Sequence, residues 1–142
     1  MRWRVRPESD QPIYEQIVDQ AVAAVAEDNL AAGARMPSVR EMAETLLVNP
    51  NTVARAYQEL ERLGLVVSRR GVGMEITAAA PEACKTRRLE RASSALRVAL
   101  EEAFAAGMAR TDIDAVLDHI SKSPSPMRRN TDGHRGRRSS TG

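Results

Sequence analysis

Cysteine and histidine are scarce in this sequence of 142 residues. The single cysteine, Cys84, has no partner for an internal disulfide, and together with His119 and His134 it is too little for a Cys/His zinc cluster. A lone thiol is typical of a reducing compartment, so we expect a cytoplasmic protein without a metal site or other cofactor.

Long apolar runs are also missing. No segment approaches the roughly 18 consecutive apolar residues that a membrane-spanning helix needs. Residues 1–6 alternate arginine with apolar side chains, which differs from the apolar stretch of a signal peptide. We therefore expect neither export nor a membrane anchor.

Most of the chain lacks an excess of basic charge. Residues 1–121 carry 15 Lys/Arg and 18 Asp/Glu, a net charge of −3, whereas residues 122–142 carry six basic residues and one acid, a net charge of +5. The sequence pI of about 9.1 is therefore a property of the tail. Any attraction of the folded part for a polyanion must depend on where a few arginines lie.

The length limits the number of domains. With 142 residues, 42% of them hydrophobic, the chain can form one compact domain and a small appendage. A sensory or catalytic domain of on the order of 100 residues would not fit beside it. We found no catalytic dyad, metal cluster or phosphate-binding loop, so an enzyme is not expected.

Three helices are predicted in the first half. Asp10 and Pro12 indicate the start of helix one, whose apolar spacing continues to Gly33. A capping box at residues 38–41 starts helix two, which runs to about Leu47. Before these helices, the alternation in residues 3–6 predicts a short edge strand.

Helix three follows after a tight turn. Asn49 can cap it, Pro50 suits the first helical position, and Gly64 suits a left-handed helix end. Two short β-prone runs, 65–68 and 74–77, are separated by residues 69–73, which predicts a hairpin. The expected fold is mainly α with a small β-wing: a winged helix-turn-helix over residues 1–81, followed by a C-terminal helical hairpin over residues 82–121.

An apolar stripe follows Pro81 and exceeds what a lone helical hairpin can bury, so we expect it to pair two subunits. Gly107 ends the first helix of the hairpin, and Thr111 or Asp112 caps the second. The tail, 122–142, is rich in Ser, Pro, Arg and Gly and is expected to be disordered. The residues predicted to form the dimer contact are Leu89, Leu96, Leu100, Phe104, Ile113, Leu117 and Ile120.

The start of helix three carries the side chains best suited to read DNA. Only the N-terminal end of a recognition helix reaches the floor of the major groove, and Asn49, Asn51 and Thr52 lie there with Arg55 one turn further. The free N–H groups of that helix end also favour a phosphate. Asn49 is as readily explained as a helix cap.

Arginines elsewhere are candidates for phosphate or groove contacts. Arg40 lies at the start of helix two, and Arg69 and Arg70 lie adjacent on the hairpin, where exposed like charges have little structural reason to be. Surface pairing at i+4 is the alternative for two of the arginines, Arg40 with Glu44 and Arg55 with Glu59.

Together these blocks carry a family resemblance. Four blocks of the sequence resemble the winged helix-turn-helix of the GntR family of bacterial regulators. They are Pro12-Ile13-Tyr14-Glu15-Gln16-Ile17, residues 36–43, residues 49–57 and residues 63–73. The short helical C-terminal region resembles the YtrA subfamily, whose members are dimeric repressors that often regulate transporter operons. The resemblance implies double-stranded, two-fold symmetric operator DNA and a second copy of the chain as partners, with a small-molecule effector left open.

The resemblance also implies a set of DNA-contact positions. The chain departs from the family's usual sequence at two places. Many members have arginine where this chain has Ala54, and Thr-Phe is usual after the glycine at which this chain has Gly73-Met74-Glu75. The acid is expected to weaken the wing's affinity. The positions that match the family's DNA contacts are Arg40, Asn51, Thr52, Arg69, Arg70 and Gly71.

Two other functions were weighed. In the first, the winged helix is a scaffold for protein interaction and contact with DNA is incidental. In the second, the arginines of the tail hold the chain loosely on any DNA. A solvated tail without a role is an equally good explanation of those arginines.

Overall fold

The computed structural model describes residues 1–122. Its mainly α-helical chain with one small antiparallel sheet confirms the predicted fold class. The predicted tail lies outside the described residues except for Lys122, which ends the last helix. The elements in chain order are α1 (Ile13–Ala26), α2 (Val39–Leu46), α3 (Pro50–Arg62), β1 (Val66–Arg69), β2 (Gly73–Ile76), α4 (Ala80–Ala105) and α5 (Arg110–Lys122).

Helix α1 is shorter than its apolar spacing predicted. It ends at Ala26 rather than near Gly33, because Asp28 adopts a left-handed conformation with φ 61°. The amides of Asn29 and Leu30 then bond back to the carbonyl of Ala24, at 2.8 and 3.1 Å. Aspartate is among the few residues that tolerate this conformation.

The predicted edge strand at residues 3–6 is wrong. Within residues 1–122 no strand pairs with this segment; instead, glutamine side chains of α1 bond its backbone. The Arg6 amide donates to Gln16 Oε1 at 2.7 Å, and the Arg4 amide donates to Gln20 Oε1 at 2.9 Å. Trp3 and Val5 still pack on the core, as their alternation suggests.

Helices α2 and α3 begin as predicted. Ser38 accepts the Glu41 amide while Glu41 reaches back to the Ser38 amide, which completes the capping box. Asn49 caps α3, and Pro50 is its first residue. Between the two helices Leu47 adopts a left-handed conformation, so the chain turns sharply.

The wing is a hairpin with a third segment beside it. Strand β1 pairs antiparallel with β2, with Arg69 opposite Gly73, so these two residues belong to the strands rather than to the predicted turn. Residues 33–36 lie along the other edge of β2: the Met36 amide donates to the Met74 carbonyl at 2.8 Å, and Arg35 is bridged to Glu75.

The core lies under α1, α2, α3 and the sheet, and the start of α4 closes it. Ala80 and Cys84 of α4 are fully buried in the same cluster, so this helix begins before Pro81 and within the winged-helix core. Burial raises the pKa of the Cys84 thiol. The largest fully buried side chains are Ile17, Val25, Met36, Met42, Val53, Leu60, Ile76 and Cys84.

The described residues form two compact units, one through Arg97 and one from Val98 to Lys122. In the second unit α5 begins at Arg110, a residue earlier than the predicted caps, and the carboxylate of Asp112 accepts the Ala109 amide at 2.8 Å. The division into functional regions at residues 81 and 121 stays a prediction.

Candidate nucleic-acid interface

The start of α3 presents polar side chains to solvent. Asn49 and Asn51 are exposed and Thr52 is half-buried, while Val53 and Ala56 on the opposite side are fully buried. The apolar side therefore fixes the helix on the core, and the polar side is free to meet a ligand.

Asn49 is occupied as a cap. Its Oδ1 accepts the Asn51 amide at 2.8 Å, which leaves the side-chain NH₂ as a donor for DNA. The expectation of free backbone donors at this helix end is wrong, because Pro50 has no N–H and the Thr52 amide bonds the Asn49 carbonyl at 3.0 Å. Binding at this end must therefore depend on side chains.

Arg55 lies against an aromatic ring. Its Cζ is 3.9 Å from the ring centroid of Tyr14 in α1, a cation–π contact. The alternative for Arg55, a surface pair with Glu59, is not formed, because Glu59 is bonded by Arg62, with Nε and Nη2 at 2.9 and 2.5 Å from its two oxygens. These bonds lower the pKa of Glu59 and raise that of Arg62.

Arg40 is exposed at the start of α2. Its Nε lies 3.2 Å from Glu44 Oε1, so the predicted i, i+4 pair is confirmed. Both side chains are largely exposed, and such a pair holds an arginine only weakly. Arg40 can therefore exchange its carboxylate partner for a phosphate.

The wing carries the other predicted contacts. Arg70 and Gly71 lie in the exposed turn, and Gly71 has φ +78°, which requires glycine or a strained residue. Arg69 ends β1, where its Nε is 3.7 Å from Glu75 Oε1. The structure thus separates the adjacent arginines: Arg69 is paired across the strands, and Arg70 extends the hairpin tip.

Two contacts of the wing are not predicted from the sequence. Arg35 is exposed and lies opposite Glu75, although it precedes helix two and is distant in sequence from the hairpin. The signal in the sequence is the alternation of apolar and charged residues in Ala34-Arg35-Met36, which is typical of a strand. For Glu75 the sequence predicts a weakened wing but not the contact with Arg69.

Tyr57 joins the recognition helix to the start of α2. It is 3% exposed, which confirms the prediction that it belongs to the core, and its hydroxyl donates to the Pro37 carbonyl at 2.6 Å. Burial, with the carboxylate of Glu41 adding to it, raises the pKa of this hydroxyl well above its ordinary value of 10.0. The bond fixes α3 relative to the segment that leads into α2.

The residues predicted to pair two subunits differ in exposure. Ile113 is 8% exposed in the single chain, so its side chain is already covered, and Leu100 is half-buried. The other five are exposed by half or more: Leu89, Leu96, Phe104, Leu117 and Ile120.

A groove of about 610 Å³ lies within the first unit, and it opens widely to solvent. Two of its charged side chains pair across it, Arg91 with Asp19 at 2.7 Å. It is formed by Gln11, Tyr14, Glu15, Val18, Asp19, Glu59, Arg87, Glu90, Arg91 and Ser94.

Within residues 1–122 no group of three or more His, Cys, Asp or Glu side chains is arranged to hold a metal ion. Over the same range no helix has the length and apolar character needed to cross a bilayer.

The core and the candidate interface match a known family. Residues 13–76 match the model of the bacterial regulatory proteins of the gntR family. A crystal structure of a transcriptional regulator from Oenococcus oeni is similar, with a TM-score of 0.72 and 32% identity, over 82% of this chain and 97% of that chain. The winged-helix fold is therefore shown together with the helices that follow it.

Curated relatives align over the same region. YhcF of Bacillus subtilis, an uncharacterized HTH-type transcriptional regulator, is 52% identical over 66 residues, 46% of this chain and 54% of that protein. The HTH-type transcriptional repressor YtrA of the same bacterium is 43% identical over 74 residues, 52% of this chain and 57% of that protein. The match thus spans little more than half of either relative.

A longer match comes from Mycobacterium tuberculosis. One of its HTH-type transcriptional regulators is 32% identical over 121 residues, which are 82% of this chain and 92% of that protein. Similarity therefore continues beyond the winged helix into the C-terminal helices.

Proposed function

Because this chain belongs to the GntR family of bacterial DNA-binding transcription regulators, we propose that it binds double-stranded operator DNA as a homodimer and represses a small operon. Its relatives are named as regulators, and the family is not one of enzymes. In the part of the chain that the structure describes, two helices follow the winged helix.

The polar start of α3 is the observation that carries the proposal. Asn51 and Thr52 project from a helix end whose other side is locked in the core. Amides and hydroxyls in this position hydrogen-bond base edges in the major groove. Arg40, Arg55 and the wing arginines then hold the phosphates on either side.

Exposed apolar side chains support the dimer. In the described part of the second unit only Ile113 is buried, whereas Phe104, Leu117 and Ile120 are each more than half exposed. Two short helices cannot cover such side chains by themselves. A second copy of the same surface covers them and brings two recognition helices to half-sites about one helical turn apart.

Repression is the expected outcome of operator binding. The name of the YtrA relative, a transcriptional repressor, supports this direction. The bound protein then blocks RNA polymerase from the DNA in the cytoplasm. Transporter genes are the class of target that the resemblance implies. A small-molecule effector stays an expectation, for which the groove of the first unit is the candidate site.

Light scattering and fluorescence anisotropy test the proposal together. We expect a dimer in solution, and we expect Phe104→Ser combined with Leu117→Ser to give a folded monomer that binds the operator far more weakly. Leu47→Ser, which changes an even more exposed leucine outside the second unit, serves as the control for dimer formation.

A strictly monomeric protein that binds a two-fold operator tightly contradicts the dimer. If no binding to DNA is detected at any salt concentration, the proposed DNA-binding function is contradicted. It would leave the protein-interaction scaffold as the better explanation of the winged helix.

A further inference from the structure

The outer face of the wing has an acid at its centre. In the β1–β2 register Val67 is opposite Glu75 and Arg69 is opposite Gly73. Because side chains alternate along a strand and opposite residues share a face, the side chains of Val67, Arg69 and Glu75 lie on one face. Val66 and Ile76 on the other face are buried.

A second arginine reaches this face from the segment beside β2. Arg35 is bridged to Glu75 in antiparallel fashion, so their side chains share the same side of the sheet. The Nε of Arg35 is 3.7 Å from the position that a Cβ on Gly73 would occupy. The side chain of Arg35 therefore lies over Gly73, on the same face of the sheet as Arg69 and Glu75.

The contact between Arg69 and Glu75 is loose. At 3.7 Å the Nε–Oε1 distance is longer than a good charged hydrogen bond, and the Arg69 side chain is 61% exposed. Arg69 can therefore turn toward a phosphate at small cost. Glu75, only 24% exposed, stays in the sheet and keeps its negative charge beside that phosphate.

We propose that Glu75 limits the affinity of the wing for DNA, by holding Arg69 over the sheet and by repelling the phosphate that Arg69 and Arg35 would otherwise bind. The inference rests on the proposed function and adds to it a residue that sets binding strength. It also adds Arg35 to the basic groups of the interface. A regulator whose wing is weakened in this way leaves DNA more readily and depends more on base contacts for its selectivity.

Glu75→Gln tests the inference, because it keeps the shape of the side chain and removes its charge. The probe is a labelled nonspecific duplex of about three helical turns, titrated between about 50 and 200 mM salt. We expect binding about two- to fivefold tighter than wild type at each salt concentration, and a salt dependence that is steeper by up to about one ion.

Two variants isolate the cause. Glu27→Gln removes the same charge from a pair with Arg88 on the α1–α4 side of the first unit, and it is expected to bind as wild type. Glu75→Asp keeps the charge and is expected to bind no more tightly than wild type. Circular dichroism establishes that all three variants are folded.

Glu75→Gln binding equal to wild type overturns the inference, as does an equal gain in Glu27→Gln or in Glu75→Asp. If the wild-type chain shows no salt-dependent binding to DNA, the proposed function fails first. The two failures are therefore distinguishable in the same titration.

Discussion

The guanidinium of Arg55 in the recognition helix lies on the ring of Tyr14 in α1, with 3.9 Å between Cζ and the ring centroid. Arg55 is one turn beyond Asn51, on the same exposed side of α3. A stacked guanidinium loses little further side-chain freedom when it binds a phosphate. The contact therefore prepares Arg55 for DNA and makes Tyr14 a positioning residue of the interface.

Removing the ring is expected to weaken DNA binding. Tyr14→Leu should lower the affinity about two- to fivefold, because an exposed cation–π contact contributes about 0.5–1 kcal/mol. Tyr14→Phe, which keeps the ring and loses only the hydroxyl bond to Glu15, should bind as wild type. Fluorescence anisotropy with operator DNA measures both.

The effect of Tyr14 must depend on Arg55. In an Arg55→Ala background the change Tyr14→Leu is expected to have no further effect. An undiminished loss in that background would mean that Tyr14 acts through the fold alone, and the positioning role would have to be given up.

The tip of the wing should make a sequence-independent contact. Arg70→Ala is expected to reduce the salt dependence of DNA binding by about one ion and to lower the affinity equally for all sequences. Arg62→Ala, at the far end of α3 and paired with Glu59, is the matched control and should leave the salt dependence unchanged. Equal salt slopes for the two variants would remove Arg70 from the interface.

Leu47 stores strain in the turn between α2 and α3. It has φ 56° and ψ 46° and is 91% exposed, so it has a left-handed backbone without compensating side-chain burial. Leu47→Gly should stabilise the fold by about 0.5–1 kcal/mol, since the left-handed cost of roughly 1–2 kcal/mol exceeds the entropic cost of glycine. Urea unfolding measures this free energy.

Leu47→Ala separates backbone strain from the loss of an exposed leucine. It retains a Cβ and is expected to leave the free energy of unfolding unchanged. If alanine stabilised the chain as much as glycine, the exposed side chain rather than the backbone would be responsible.

Tyr57 should make stability depend on alkaline pH. Its raised pKa means that the folded chain retains the proton where the unfolded chain has lost it, so this stability is full below about pH 10 and falls as the pH rises further. Tyr57→Phe lacks this contribution and leaves the Pro37 carbonyl without its donor, so it should cost about 0.5–1.5 kcal/mol at neutral pH.

The deficit of Tyr57→Phe should shrink by roughly 1 kcal/mol between about pH 9 and pH 11. Urea unfolding at a series of pH values measures it. A deficit that stays constant across this range would contradict the assigned pKa direction.

Local signals in the sequence predicted much of this fold. Ser38 with Glu41, and Asn49 with Pro50, specify helix starts through contacts a few residues apart, and the structure confirms both. The buried side of α3 followed from the spacing of Val53, Ala56 and Leu60 for the same reason. The winged helix was therefore predictable from short-range chemistry.

Contacts between distant segments were not predictable in this way. Glu59 has two arginines within reach on its own helix, and it pairs with Arg62 while Arg55 lies on the ring of Tyr14 in α1. Arg35 joined the wing because residues 33–36 pair with β2 about 40 positions later. Which partner an exposed charge selects depends on tertiary packing that the spacing of residues does not contain.

Selection of DNA from a random pool by the full-length chain, followed by sequencing, tests the central claim most directly. We expect an inverted repeat whose half-sites lie about one helical turn apart, and we expect Asn51→Ala to lose its preference at particular base pairs, by about 1–3 kcal/mol each. Arg70→Ala should select the same sequence with lower yield. A pool without any enriched sequence, or one that Asn51→Ala leaves unchanged, would contradict operator recognition by α3.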